Sequence, residues 1–165
     1  MRLKTEKIGF DIGGVIFERD KKNISIFSPR YLELLPVPEV FEALSRIVNE
    51  RFRDDVYLVS KCGEEVRRRT LNWLSHHDFF RHTGINPNHL EFCLEHWEKA
   101  KICERLGLTH FVDDRLEVLK DLVTVPYRYL FQPRTFEIES FKERLPMVRI
   151  LRNWNELADE LLPPR

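Results

Sequence analysis

Two hydrophobic periods alternate along this chain, and that alternation restricts its fold more than any other feature. Short β-rich runs recur at Lys7 to Ile12, Asp55 to Ser60, His89 to Phe92, Thr109 to Val112 and Tyr127 to Phe131. Between them apolar residues fall at helical spacing: Val40, Phe41, Leu44, Ile47 and Val48, then Val66, Thr70, Trp73 and Leu74. Strands separated by helix-length segments pair in parallel through crossovers, so the pattern predicts βαβ units and a parallel sheet covered by helices. A third helix is expected from about Lys99 to Leu106, ended by Gly107. A last strand over Val148, Arg149, Ile150 and Leu151 and a closing helix through Trp154, Leu157, Leu161 and Leu162 stop at Pro163-Pro164. A chain of 165 residues with 42% hydrophobic content can build one sizeable core, and we read 1–165 as one domain.

The stretch from Val15 to Arg53 is the least regular, with Arg19-Asp20-Lys21-Lys22 as a charged turn and Pro29, Pro36 and Pro38 as breakers. It is too short for a helical bundle as well as a crossover helix. The stretch from Ser60 to Lys99 is similarly short, so a site on this sheet would be lightly covered.

In open α/β sheets ligands bind beyond the carboxyl ends of the strands. The first strand delivers Asp11, followed by Ile12-Gly13-Gly14; the second delivers Ser60 and Lys61; the fourth delivers Asp113 and Asp114. Lys99 opens the helix before the fourth strand. Carboxylates are hard ligands for magnesium, a lysine neutralises phosphate charge, a hydroxyl donates to a phosphate oxygen, and adjacent glycines let backbone approach a ligand closely. This is the residue inventory of a magnesium and phosphate site.

The segments IGFDIGGVIF, VYLVSK and HFVDDR resemble motifs one, two and four of the haloacid dehalogenase (HAD) superfamily, and KAKICERLG is similar to its lysine-bearing third motif. The resemblance runs from about Lys7 to Phe131. It implies a three-layer, Rossmannoid α/β fold with a central parallel sheet and minimal or no cap. It also implies a magnesium-dependent phosphohydrolase in which Asp11 forms an aspartyl-phosphate and binds Mg2+. Ser60, Lys61, Lys99 and Gly14 would contact the substrate phosphate, Lys99 steadying Asp11 as well. The metal would be held by Asp11, the Gly13 carbonyl and Asp114, with Asp113 acting directly or through water.

One position departs from the pattern. Phosphatases of the superfamily usually carry a second aspartate two residues after the nucleophile, as general acid and base; here that residue is Gly13. Its carbonyl can still face a metal, but it has no proton to give. The alternative implied is a catalytically weak or inactive HAD-like binding or regulatory protein that keeps the pocket.

Other readings are less consistent with the residues. DIGG is also similar to the phosphate turn of actin-like sugar kinases, which need a much longer, duplicated chain. Cys62 and Arg68 have the Cys-x5-Arg spacing of thiolate phosphatases, but Glu64 and Glu65 would oppose both a dianion and a thiolate. His76 and His77 are adjacent and cannot face one metal from a helix; with His82 they are read as surface or helix-end residues. Arg67-Arg68-Arg69 is expected to be a solvated face, and Phe79, Phe80 and Trp97 to be core. The three cysteines, without a CxxC pair, suit reduced thiols. Lys+Arg and Asp+Glu are equal at 27 each, so no nucleic-acid or membrane partner is indicated by charge. A cytoplasmic location is expected, with a phosphorylated substrate as the partner; a lightly covered site would suit a macromolecular one, and an oligomer is possible but not indicated.

Overall fold

The computed structural model describes residues 4–140, 143 and 147–165. The apolar runs form β1 (Ile8–Phe10), β2 (Val56–Lys61), β3 (Leu90–Cys93), β4 (His110–Asp113), β5 (Tyr127–Phe131) and β6 (Arg149–Leu151). All pair in parallel in the order β3-β2-β1-β4-β5-β6, so β1 lies at the centre beside β2 and β4. The expected strands are present, shifted by a residue or two at their ends. Ile12 leaves the first strand because its carbonyl accepts the Val15 and Ile16 N–H groups, which closes a turn.

Each strand divides its side chains between two cores, as period-two geometry requires. Ile8, Phe10, Val56, Leu58, Val112, Tyr129 and Phe131 face one side, where α1 (Val40–Ile47), α2 (Glu64–His76), α3 (Phe79–Thr83) and α7 (Trp154–Leu161) pack. Val59, Phe111 and Leu130 face the other, beneath α4 (His96–Leu106) and α5 (Leu116–Leu119). Helix α6 (Thr135–Ser140) follows β5. Three layers result, as expected.

Several local expectations are corrected. Helix α4 begins at His96, so Lys99 lies one turn inside it rather than opening it. The Glu98 carboxylate accepts the Leu94 and Glu95 N–H groups at 2.8 Å each, satisfying donors a helix start leaves free. Trp97 is 58% exposed and not core. Arg69 is not part of a solvated face: its Nη1 donates to the carbonyls of Ile26 (3.1 Å) and Ser28 (3.0 Å). With Asn72 on the Tyr31 hydroxyl and Trp73 Nε1 on the Leu34 carbonyl, it ties the irregular stretch to α2. That stretch holds the 3-10 turn Tyr31–Glu33 and isolated bridges, and no separate cap forms among the described residues. The charged turn is tight: Lys22 and Asn23 both have positive φ, and Lys21 and Ile24 exchange backbone hydrogen bonds. Among the described residues no helix is long and apolar enough to cross a membrane.

Candidate metal and phosphate site

Because β1 and β4 are adjacent and in register, the residues following Phe10 and Val112 meet at one sheet edge. The Asp11 N–H donates to the Val112 carbonyl at 2.9 Å, extending the ladder to the point where both chains turn away. Asp11, Asp113 and Asp114 therefore converge, each offering an oxygen within 4.8 Å of the others.

Helix α4 lowers Lys99 onto this edge from the second core. Its Nζ donates to Asp11 Oδ1 at 3.0 Å and to Asp113 Oδ2 at 2.9 Å, and only 2% of the side chain is exposed. Burial alone would lower the Lys99 pKa, but the two carboxylates outweigh it and hold the amine protonated far above its ordinary range. Lys101, two residues on, points elsewhere and lies over the Trp97 ring. The other oxygen of Asp113 accepts the Arg115 N–H at 3.0 Å, so both its oxygens are engaged inside the protein.

Asp114 has a different neighbour. Arg19, from the charged turn, donates through Nε to Asp114 Oδ2 at 2.8 Å and through Nη2 to the Gln132 carbonyl at 3.2 Å. Gly14 makes room for this pair: its φ is +79°, and a Cβ there would lie 2.3 Å from Asp114 Oδ2. Gly13 differs, since a Cβ would meet only a Phe17 ring carbon at 3.7 Å.

Two cations thus pair directly with three carboxylates, one short of matching them, while Lys61, Arg115 and Arg134 line the cavity farther out. Burial, then the Asp11 charge, pushes the Asp113 carboxyl above 3.8 despite Lys99. Burial, then Asp11 and Asp113, does the same to Asp114 despite Arg19. Hard oxygen donors, clustered and one direct cation short, fit a hard divalent cation. No histidine or cysteine joins a potential metal cluster among the described residues. His77 instead packs on Trp73 and His82 on Phe41.

The edge opens into a cavity of about 480 Å³ whose floor includes Asp11, Gly13, Gly14 and Asp114. Lys61 lines it from the end of β2. Ser60, the preceding residue, is 7% exposed and outside that lining. The irregular stretch supplies one wall through Phe17, Arg19, Ile26 and Phe27, so it covers part of the site. Cys62 is half-buried rather than core, and burial raises its thiol pKa, the reverse of what a thiolate nucleophile needs.

Arg19 and His96 are two of several lining residues outside the expected set. By sequence Arg19 belongs only to a charged turn. His96 sits one turn before Lys99 on α4, a three-residue spacing that puts both on one helix face. Its Nδ1 is buried without a hydrogen-bond partner, and burial followed by Lys61 lowers its pKa below 6.5. That direction favours the neutral imidazole.

No protein-family model and no curated protein matches this chain. Among solved structures it is similar to the cobalt-bound deoxy-D-mannose-octulosonate 8-phosphate phosphatase from Haemophilus influenzae. The TM-score is 0.52 and the identity 14%, over 96% of this chain and 87% of that one. At this identity the likeness establishes architecture: the chain has the HAD-like fold that its motifs resemble.

Proposed function

We propose that the chain is a magnesium-dependent phosphohydrolase that transfers the phosphoryl group of a monoester to Asp11 and then to water. The observation that carries this reading is the buried Lys99 bridging Asp11 and Asp113 beneath an open cavity. A buried ion pair is weak evidence of stabilisation, because desolvating the charges offsets much of their attraction. A lysine placed there at that cost, facing two carboxylates at a strand-end cavity, is better explained by chemistry. That the similar solved structure is a metal-bound phosphatase supports the same reading.

Each group has a task in this account. Lys99 holds Asp11 Oδ1, leaving the second oxygen to attack phosphorus. Bound Mg2+, held by Asp11, Asp114 and the Gly13 carbonyl, would offset negative charge as the phosphoryl group moves. Asp113 keeps Lys99 in place, and Lys61, in the cavity lining, is assigned to phosphate oxygens; the Gly14 N–H already donates to the Phe17 carbonyl at 2.9 Å and Ser60 lies outside the lining, so neither expected phosphate contact is kept. As the Asp11–phosphorus bond forms, the ester P–O bond breaks and the leaving oxygen departs with its electron pair. Water then attacks the aspartyl-phosphate, releasing phosphate and restoring Asp11. With glycine at position 13, the leaving oxygen receives no proton from that side chain, so esters of acidic alcohols and phenols are turned over best.

The same glycine favours a second reading, a protein that binds metal and phosphate without turnover. Steady-state hydrolysis of p-nitrophenyl phosphate with Mg2+, by this chain and by Asp11→Asn, separates the two. The enzyme reading expects activity that Asp11→Asn abolishes; equal rates for both proteins would reject it.

A further inference from the structure

Phe27 is 74% exposed, yet it is built into place. Residues 25–28 form a tight turn: Ser28 N–H donates to the Ser25 carbonyl at 3.1 Å, and Phe27 N–H to Ser25 Oγ at 3.2 Å. The carbonyls on either side of Phe27, those of Ile26 and Ser28, both accept from Arg69 Nη1. Arg69 is anchored in turn by Glu65, at 3.0 Å. An exposed aromatic side chain on a pinned turn forgoes, in the free protein, the gain of burying its ring. Here it stands in the wall of the cavity that contains Asp11, and Phe17, Ile26 and Val66 continue the same wall. Polar groups floor the cavity and apolar groups form this side, so a ligand that fills it is anionic at one end and apolar beside that anion.

We propose that Phe27 is a specificity-determining residue and that the substrate class is the aryl phosphate monoester, a phosphate on a phenolic oxygen whose ring packs against Phe27. This rests on the phosphohydrolase reading and is supported independently by Gly13. A site without an acid at that position needs a leaving group that departs as an anion, and a phenolate does so far more readily than an alkoxide. The apolar wall and the missing acid thus select the same chemistry. In the reaction the Asp11–phosphorus bond forms while the bond from phosphorus to the phenolic oxygen breaks; the phenolate takes its proton from solvent.

The test compares Phe27→Ala with the unmodified chain in the presence of Mg2+, on phenyl phosphate, a phosphotyrosyl peptide and 2,2,2-trifluoroethyl phosphate. Phenylphosphonate serves as a ligand that cannot be hydrolysed. Ring packing between aromatic groups changes affinity by about 2- to 12-fold. The proposal expects Phe27→Ala to lower kcat/KM for at least one aryl ester by about fivefold and to weaken phenylphosphonate binding similarly, with the trifluoroethyl ester changed less than twofold. Which aryl ester loses more identifies a free or a peptide-borne ring. Equal effects on aryl and alkyl esters, or none on either, would overturn it while leaving hydrolysis intact. If no ester is hydrolysed but phenylphosphonate binding still depends on Phe27, the hydrolase reading fails and the aryl subsite stands.

Discussion

Replacing Gly13 with aspartate should convert a proton-poor site into a competent one. The structure permits it: the backbone at Gly13 is outside the left-handed region, and a Cβ would touch only the Phe17 ring at 3.7 Å. The new carboxyl would enter the cavity that Asp11 floors. General acid–base groups contribute about 10²–10⁴-fold when positioned by the surrounding structure. A grafted group without evolved support should recover at most the lower end of that range, so we expect about 10- to 100-fold in kcat for an alkyl ester such as glycerol phosphate. For p-nitrophenyl phosphate, whose leaving group needs no proton, the change should be under threefold. The assay is phosphate release at saturating Mg2+ for both esters by the unmodified chain, Gly13→Asp and Gly13→Asn. The asparagine variant matches the size without the acid and should leave the alkyl rate unchanged. Equal gains on both esters, or an equal gain from asparagine, would refute the role assigned to position 13.

Three further outcomes follow from the same site. Lys99→Met should strand Asp11 and Asp113 without their cation, costing about 3–5 kcal/mol in urea unfolding at neutral pH; the deficit should shrink in acid as Asp113, whose carboxyl burial holds above its ordinary value, takes up its proton. Gly14→Ala combines a left-handed backbone with a Cβ 2.3 Å from Asp114 Oδ2, and should lose about 1–3 kcal/mol of stability and weaken Mg2+ binding in calorimetry. Asp113 and Asp114 hold their protons more tightly folded than unfolded, so in metal-free protein their contribution to stability falls as pH rises above 3.8. Mg2+ displaces those protons and should raise Tm more at pH 8 than at pH 5.5; His110, lowered to about 4 by burial, acts alike with and without metal and cancels in that difference.

How far the molecule could be read beforehand depended on whether its determinants are local. The strands were legible because each is a short apolar run at period two, and parallel order followed from the helices between them. Asp11 and Asp113-Asp114 were legible because strand ends gather in this fold. Helix α4 was placed too late because Glu95 is an unusual residue at a helix start, and the stabilising carboxylate is that of Glu98. Arg19 and Asp114 are 95 positions apart and join only once the sheet exists. Arg69 has the pattern of a solvated arginine paired with Glu65; its further partners are main-chain carbonyls, which no side-chain pattern reveals. Trp97 was assigned to the core by residue type, yet α4 turns that face outward.

The central claim is that Asp11 becomes phosphorylated. Its most direct test is acid-quenched reaction of the chain with excess p-nitrophenyl phosphate and Mg2+, followed by peptide mass mapping. One phosphoryl group is expected on the peptide containing Asp11, absent in Asp11→Asn and lost on returning the protein to neutral buffer. Release of nitrophenolate with phosphate on another residue, or on none at any quench time, would contradict it.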